Sequence, residues 1–167
     1  MTGEAPAHRP RILFIEPYYG GSHASFVQTL TSAVSADWTV LSLPGRHWKW
    51  RAQGSALWFA QDSIETLNAG YDLVLASSYL SMTDLVALTP SLRDVPRWLY
   101  FHENQFAYPV RPERAERPDR TYGFRQLVSA LASDRCLFNS QWNLDSFLDG
   151  GADLLRRMPD AVPGGWI

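Results

Sequence analysis

The chain has 167 residues, 46% of them hydrophobic and 19% charged, with a formal net charge of −2; this suits one compact domain and excludes disorder as a whole. The charge also excludes a protein held to its partner mainly by neutralising phosphates, so any nucleic-acid contact must be local. The single cysteine, Cys136, excludes a disulfide framework and a cysteine-based zinc site, and the absence of a long apolar run or signal-peptide core points to a soluble protein of the reducing cytoplasm.

Met1 to Pro10 has no apolar pattern and reads as a flexible N-terminus. Arg11 to Glu16 (RILFIE) is a β-branched and aromatic run closed by Pro17 and the pair Gly20, Gly21, which predicts a buried strand. Phe26, Val27, Leu30, Ala33 and Val34 then recur at three- and four-residue spacing, predicting a helix over His23 to Val34 with Ser22 as its N-cap. Trp38 to Leu43 is a second strand. A polar, aromatic segment leads to a helix over about Ser55 to Leu67, and Asp72 to Ala76 is a third strand. A short helix over Asp84 to Leu88, capped by Ser81 or Thr83 and stopped by Pro90, precedes a fourth strand at Trp98 to His102. Pro109 to Arg120 is rich in proline and arginine with no apolar period, and predicts an exposed, mobile loop. A helix over Tyr122 to Ala132, a strand at Arg135 to Phe138 and a helix over Gln141 to Leu148, closed by Gly150 and Gly151, complete the pattern; the rest, 151–167, reads as a loose tail or the start of a linker. Five strands alternating with helices predict a doubly wound, Rossmann-like α/β fold with a parallel sheet over residues 11–150.

In such sheets ligands bind beyond the carboxyl ends of the strands, so the segments after each strand carry the functional expectations. After the first, EPYYGGSH lets Gly20 and Gly21 turn tightly and leaves Ser22 and His23 at a helix N-terminus, a place for an anion such as a nucleotide diphosphate. It is neither GxGxxG nor a Walker A sequence, and a plain strand-to-helix turn also explains it. After the second, PGRHWKWR interleaves Arg46, His47, Lys49 and Arg51 with Trp48 and Trp50, the residue types that pair with phosphates and stack on bases; the alternative is a solvated loop whose tryptophans pack back onto the domain. After the fourth, His102, Glu103, Asn104 and Gln105 form the densest polar group in the chain, suited to binding a polyol or moving a proton; the alternative is a hydrogen-bond network bracing the loop. One histidine and one glutamate there do not propose a metal. After the fifth, Asn139 is expected to face the crevice and Ser140 to cap the next helix, though capping alone also explains both residues. Aromatics reach 13% of the chain, many of them in polar company, as at surfaces that bind flat or sugar-like ligands.

The runs ILFIEPYYGGSHASF, LPGRHWKWRAQGSALWFAQ, LYFHENQFAYPV and FNSQWNLDSFL resemble the N-terminal domain of the tRNA-queuosine alpha-mannosyltransferase family, also called the glycosyltransferase-like domain-containing 1 family. The resemblance spans about Ile12 to Leu148. It implies the N-terminal half of a retaining GT-B glycosyltransferase that moves mannose from GDP-mannose, without a metal, to queuosine in tRNA-Asp. On that resemblance His102 and Glu103 lie near the transferred sugar, and Gly20, Gly21, Ser22, His23, Asn139 and Ser140 lie on the donor side. Arg46, His47, Trp48, Trp50, Arg51, Asn104 and Gln105 fall to the acceptor. The family's second domain, with paired glutamates eight positions apart, has no counterpart in these 167 residues. The expectation is therefore an incomplete enzyme that needs a donor domain or partner chain; a tRNA-binding module without catalysis is the alternative.

Overall fold

The computed structural model describes residues 9–109 and 120–160. Five strands, β1 (Arg11–Tyr19), β2 (Asp37–Pro44), β3 (Leu73–Ser77), β4 (Arg97–Phe101) and β5 (Arg135–Phe138), form one sheet in the order β2-β1-β3-β4-β5. Every pairing is parallel, from Ile12 beside Trp38 and Leu73 to Trp98 beside Arg135. This order reverses direction between β1 and β3, the point at which doubly wound sheets open a ligand crevice.

Parallel strands need cover on both faces, and the strand alternation divides the work. Leu13, Ile15, Val74, Ala76, Leu99 and Phe101 point to one face, where Ala56 and Phe59 of α2 (Trp48–Asp62), Leu67 of α3 (Ile64–Leu67), Met82 and Leu85 of α4 (Met82–Leu88), Leu127 of α5 (Thr121–Leu131) and Phe147 of α6 (Gln141–Arg156) cover them. Ile12, Phe14 and Leu75 point to the other, beneath Phe26, Val27 and Leu30 of α1 (Gly21–Ala33). No helix among the described residues is long and apolar enough to cross a membrane.

Several boundaries differ from the sequence expectation, and the helix expected over Ser55 to Leu67 is broken at Ser63 into α2 and α3. β1 runs past Pro17 to Tyr19, with a register shift against β2 between Glu16 and Tyr19; proline lacks the N–H that would continue the ladder, so the strand bulges instead of ending. α1 starts at Gly21 with Gly20 as N-cap, and Ser22 does not cap it; Gly21 has φ +52, the left-handed region that glycine enters without strain. α2 begins at Trp48 rather than Ser55, because Trp48 packs its ring on Tyr122 at 4.9 Å and the His47 carbonyl accepts from the Trp50 and Arg51 N–H groups. α6 passes straight through Gly150 and Gly151 to Arg156. Ser81 and Ser140 cap α4 and α6 as expected, each accepting from the backbone N–H three residues on. Most of the arginine-rich loop (110–119) and the tail beyond 160 lie outside the described residues.

Gly150 is in a helix because of Phe106. A Cβ on Gly150 of α6, or on Gly123 of α5, would come within 3.0 Å of the Phe106 side chain. The two glycines thus form a socket that anchors the segment after β4. We expect Gly150→Ala to lower stability by about 1–3 kcal/mol in denaturant titrations, and its cost to shrink when combined with Phe106→Ala, since both changes act on one contact.

Candidate active site

At the reversal point the carboxyl ends of β1 and β3 open a cleft of about 370 Å³ lined by Tyr18, Gly20, Gly21, Ser22, His23, Gly45, Trp48, Tyr79, Glu103, Gln105 and Tyr108. Its rim is built by close backbone approach. A Cβ on Gly45 would stand 2.9 Å from the Gly20 Cα, so only glycine lets the loops after β1 and β2 meet. His47, the residue before α2, holds φ 56 and ψ 49, a left-handed conformation uncommon for a non-glycine residue.

Glu16 lies at the floor of this region, fully buried. It follows Ile12 and Phe14 on the strand face that α1 covers, where an apolar side chain would be ordinary. Its Oε1 accepts from the Ser77 hydroxyl at 2.8 Å and from the Tyr18 N–H at 2.9 Å. Its Oε2 faces two imidazoles, with His23 Nδ1 at 3.2 Å and His102 Nε2 at 3.6 Å. Neither approach is aligned as a hydrogen bond, and these three buried atoms have no other partner among the described residues. The His23 and His102 rings stack with centroids 3.8 Å apart, and Tyr79 continues the stack beyond His23 at 5.5 Å. His23 Nε2 stands 3.5 Å from a Glu103 carboxylate oxygen.

Charge is concentrated here by burial and then compensated. Burial alone would lower the His23 pKa, but the Glu103 and Glu16 carboxylates on either side raise it to about 9, so His23 is a cation at neutral pH. Burial would raise the Glu16 carboxyl, yet the facing His102 and His23 imidazoles, the His23 charge and the Tyr18 N–H hold it below the ordinary range. Burial likewise works against Glu103 as an anion, and His23 together with the Tyr79 hydroxyl lowers its pKa. The Tyr79 phenol is pushed upward by burial and by the Glu103 charge, and stays a donor. The arrangement is carboxylate, imidazolium, carboxylate, with a phenol at its mouth.

Of the residues proposed from sequence, Gly20, Gly21, Ser22, His23, Trp48, Glu103 and Gln105 line the cleft, and His102 joins it through the stack with His23. Arg46, His47 and Trp50 are exposed beside it and Arg51 is half-buried; none of the four lines the cleft. Asn104 is turned inward: its amide donates to the Asn143 carbonyl, the Asn143 side chain and the Ser146 hydroxyl, and its oxygen accepts from the Phe106 and Ala107 N–H groups. Asn139 donates to the His102 carbonyl and accepts from Asn143, while Ser140 is occupied as a cap. Tyr18 and Tyr108, two of the aromatics in polar company, line the cleft as well, whereas Glu16 and Tyr79 escaped the sequence reading. The signal for Glu16 was a charge at the third inward position of the alternation Ile12, Phe14, Glu16.

Glu16, His23 and His102 also bring three possible ligand atoms within 4.8 Å of one another. Two imidazoles bound in plane to one tetrahedral zinc would keep their centroids about 5 Å apart, given Zn–N bonds of about 2 Å. The 3.8 Å stack is too tight for that, and the cluster is better suited to sharing protons. The Cys136 thiol, pushed up to about 11 by burial, is no nucleophile at neutral pH.

Residues 11–167 match the family described as tRNA-queuosine alpha-mannosyltransferase N-terminal. The chain is 43% identical over 153 residues to the tRNA-queuosine alpha-mannosyltransferase of Drosophila melanogaster, an alignment covering 91% of this chain and 40% of that protein. It therefore spans about two-fifths of the length of this curated relative.

The charges set a pH window. His23, with a folded pKa of about 9 against an ordinary 6.5, contributes stability that is complete below pH 6.5 and lost as pH rises to about 9. Glu16 and Glu103, lowered from 4.5, contribute stability present above pH 4.5 and lost as pH falls further. Urea titrations across pH should thus show greatest stability between about 4.5 and 6.5 and a decline on the order of 3 kcal/mol toward pH 9. In His23→Gln the alkaline decline should disappear.

Proposed function

The chain belongs to the family of tRNA-queuosine alpha-mannosyltransferase N-terminal domains, and we propose that it forms the acceptor-side half of a retaining GT-B glycosyltransferase transferring mannose from GDP-mannose to queuosine in tRNA-Asp, in the cytoplasm and without a metal. The observation that carries this reading is the charged cleft at the reversal of the sheet, bounded by a glycine loop on one side and Trp48 on the other. The donor half is supplied by a further domain or a partner chain, in keeping with the two-fifths coverage of the fly relative.

In this reading the α1 N-terminus and the Gly20–Gly21 turn present backbone amides to the donor diphosphate. His102 and Glu103 orient and polarise the sugar and the acceptor hydroxyl. The bond from the anomeric carbon to the diphosphate oxygen breaks as the acceptor oxygen bonds to the same face, and the acceptor proton passes to the leaving diphosphate. Trp48 supplies a flat surface for the modified base, and the exposed Arg46 and Trp50, with Arg51 behind them, meet the tRNA backbone.

The test is mannose transfer to queuosine-containing tRNA by the enzyme that carries this chain. We expect His102→Ala and Glu103→Gln each to lower kcat/KM by about 100-fold or more. Arg46→Ala with Arg51→Ala should weaken tRNA binding and reduce its salt slope by about one to two. Unchanged turnover with weakened tRNA binding would favour the non-catalytic tRNA-binding module, and unchanged values throughout would overturn the assignment.

A further inference from the structure

We propose that Glu16 is the positioning residue of this site: through the single oxygen Oε2 it holds the His23 and His102 imidazoles side by side, so that His23 turns its other nitrogen toward Glu103. The carboxylate is divided in function. Oε1 is fixed by the Ser77 hydroxyl and the Tyr18 N–H, which locks the side chain in one orientation at the bulge of β1. Among the described residues Oε2 then faces the two imidazoles, at 3.2 and 3.6 Å, and lies in a fully buried position. An ionised carboxylate in such a place is costly unless opposite charge faces it. His23 provides that charge, and the stack at 3.8 Å passes the constraint on to His102. Phe26 and Tyr100 stand edge-on to His102, and Glu16 is the carboxylate that faces its Nε2.

The titratable groups facing His23 are Glu16 and Tyr18 from β1, Tyr79 after β3, and His102 and Glu103 after β4. The two carboxylates can be separated by substitution. Imidazole nitrogen NMR of this chain, titrated from pH 5 to 10 without substrate, should place His23 well above the ordinary histidine value. In Glu16→Gln, which keeps the shape and removes the charge, the His23 midpoint should fall by more than about one pH unit and the His102 resonances should move with it. In Glu103→Gln, with Glu16 intact, His23 should stay above the ordinary value. A folded Glu16→Gln chain with an unmoved midpoint overturns the proposal, and so does a Glu103→Gln chain whose His23 titrates as an ordinary histidine. Should Glu16→Gln not fold, the Glu103→Gln titration decides alone.

The consequence for catalysis rests on the transferase reading above. In the enzyme carrying this chain, Glu16→Gln should lower kcat at least tenfold with KM for tRNA unchanged, and Glu16→Asp should recover part of the loss. Moved titrations with undiminished turnover would leave Glu16 as the anchor of the stack and remove the transferase reading of the site instead.

Discussion

A carboxylate buried at the reversal point of a parallel sheet is the constraint from which the rest of the site follows. Glu16 occupies an inward position on a strand whose neighbours on that face are Ile12 and Phe14, and ionisation there demands donors and positive charge close by. The donors come from β3 and from the bulged end of β1 itself. The positive charge comes from α1, whose His23 is brought over the sheet by the packing of Phe26, Val27 and Leu30 on the same face. A helix docked by apolar contacts thus delivers a cation to one fixed point. Once His23 is there, its free side attracts Glu103 from the segment after β4, and the cleft acquires its second carboxylate.

The loops that surround this point are held by backbone geometry more than by side-chain bonds. Gly20 and Gly45 meet without room for a Cβ, and Phe106 fills a socket made by Gly123 and Gly150. Gln126 of α5 completes the frame, accepting from the Gln105 N–H and donating to the Ser78 hydroxyl, which ties the ends of β3 and β4 together. Such loops keep the reacting groups in register at little cost in flexibility, which is what a site built on segments between elements requires.

The sheet, its parallel pairing and the alternation of helices were legible because apolar periodicity carries them, and β5 begins and ends where the pattern places it. The beginning of α2 was hidden because Trp48 starts the helix through its contacts with Tyr79 and Tyr122, residues distant in sequence. The end of α6 was hidden for a related reason: Gly150 looks like a stop until Phe106 supplies a packing purpose for it. In the site, Gly20, Gly21, His102 and Glu103 were visible from their place after strands. Tyr79 was not, since nothing adjacent to it in sequence reveals the stack with His23. Glu16 was not read as a site residue either, although a charge in the inward pattern is a local inconsistency of the kind that functional sites tend to contain.

Two polar clusters lie side by side at the end of β4, and the difference between them is physical. Asn104, Asn139, Asn143 and Ser146 satisfy one another and the backbone, with Asn104 alone using its oxygen twice and its amide three times. That network is neutral and hydrogen-bonded throughout, so it fixes the direction of the chain. Glu16, His23 and His102 are composed of stronger donors and acceptors, yet three of their buried atoms lack an aligned hydrogen bond. A charged network with unaligned atoms thus sits beside a neutral, hydrogen-bonded one: the amides hold the His102 backbone in place through Asn139, while Glu16, His23 and His102 keep buried polar atoms without an aligned partner among the described residues. Of the polar residues after β4, alike in sequence, Asn104 is thereby committed to bracing the chain, while Glu103 faces His23 and lines the cleft.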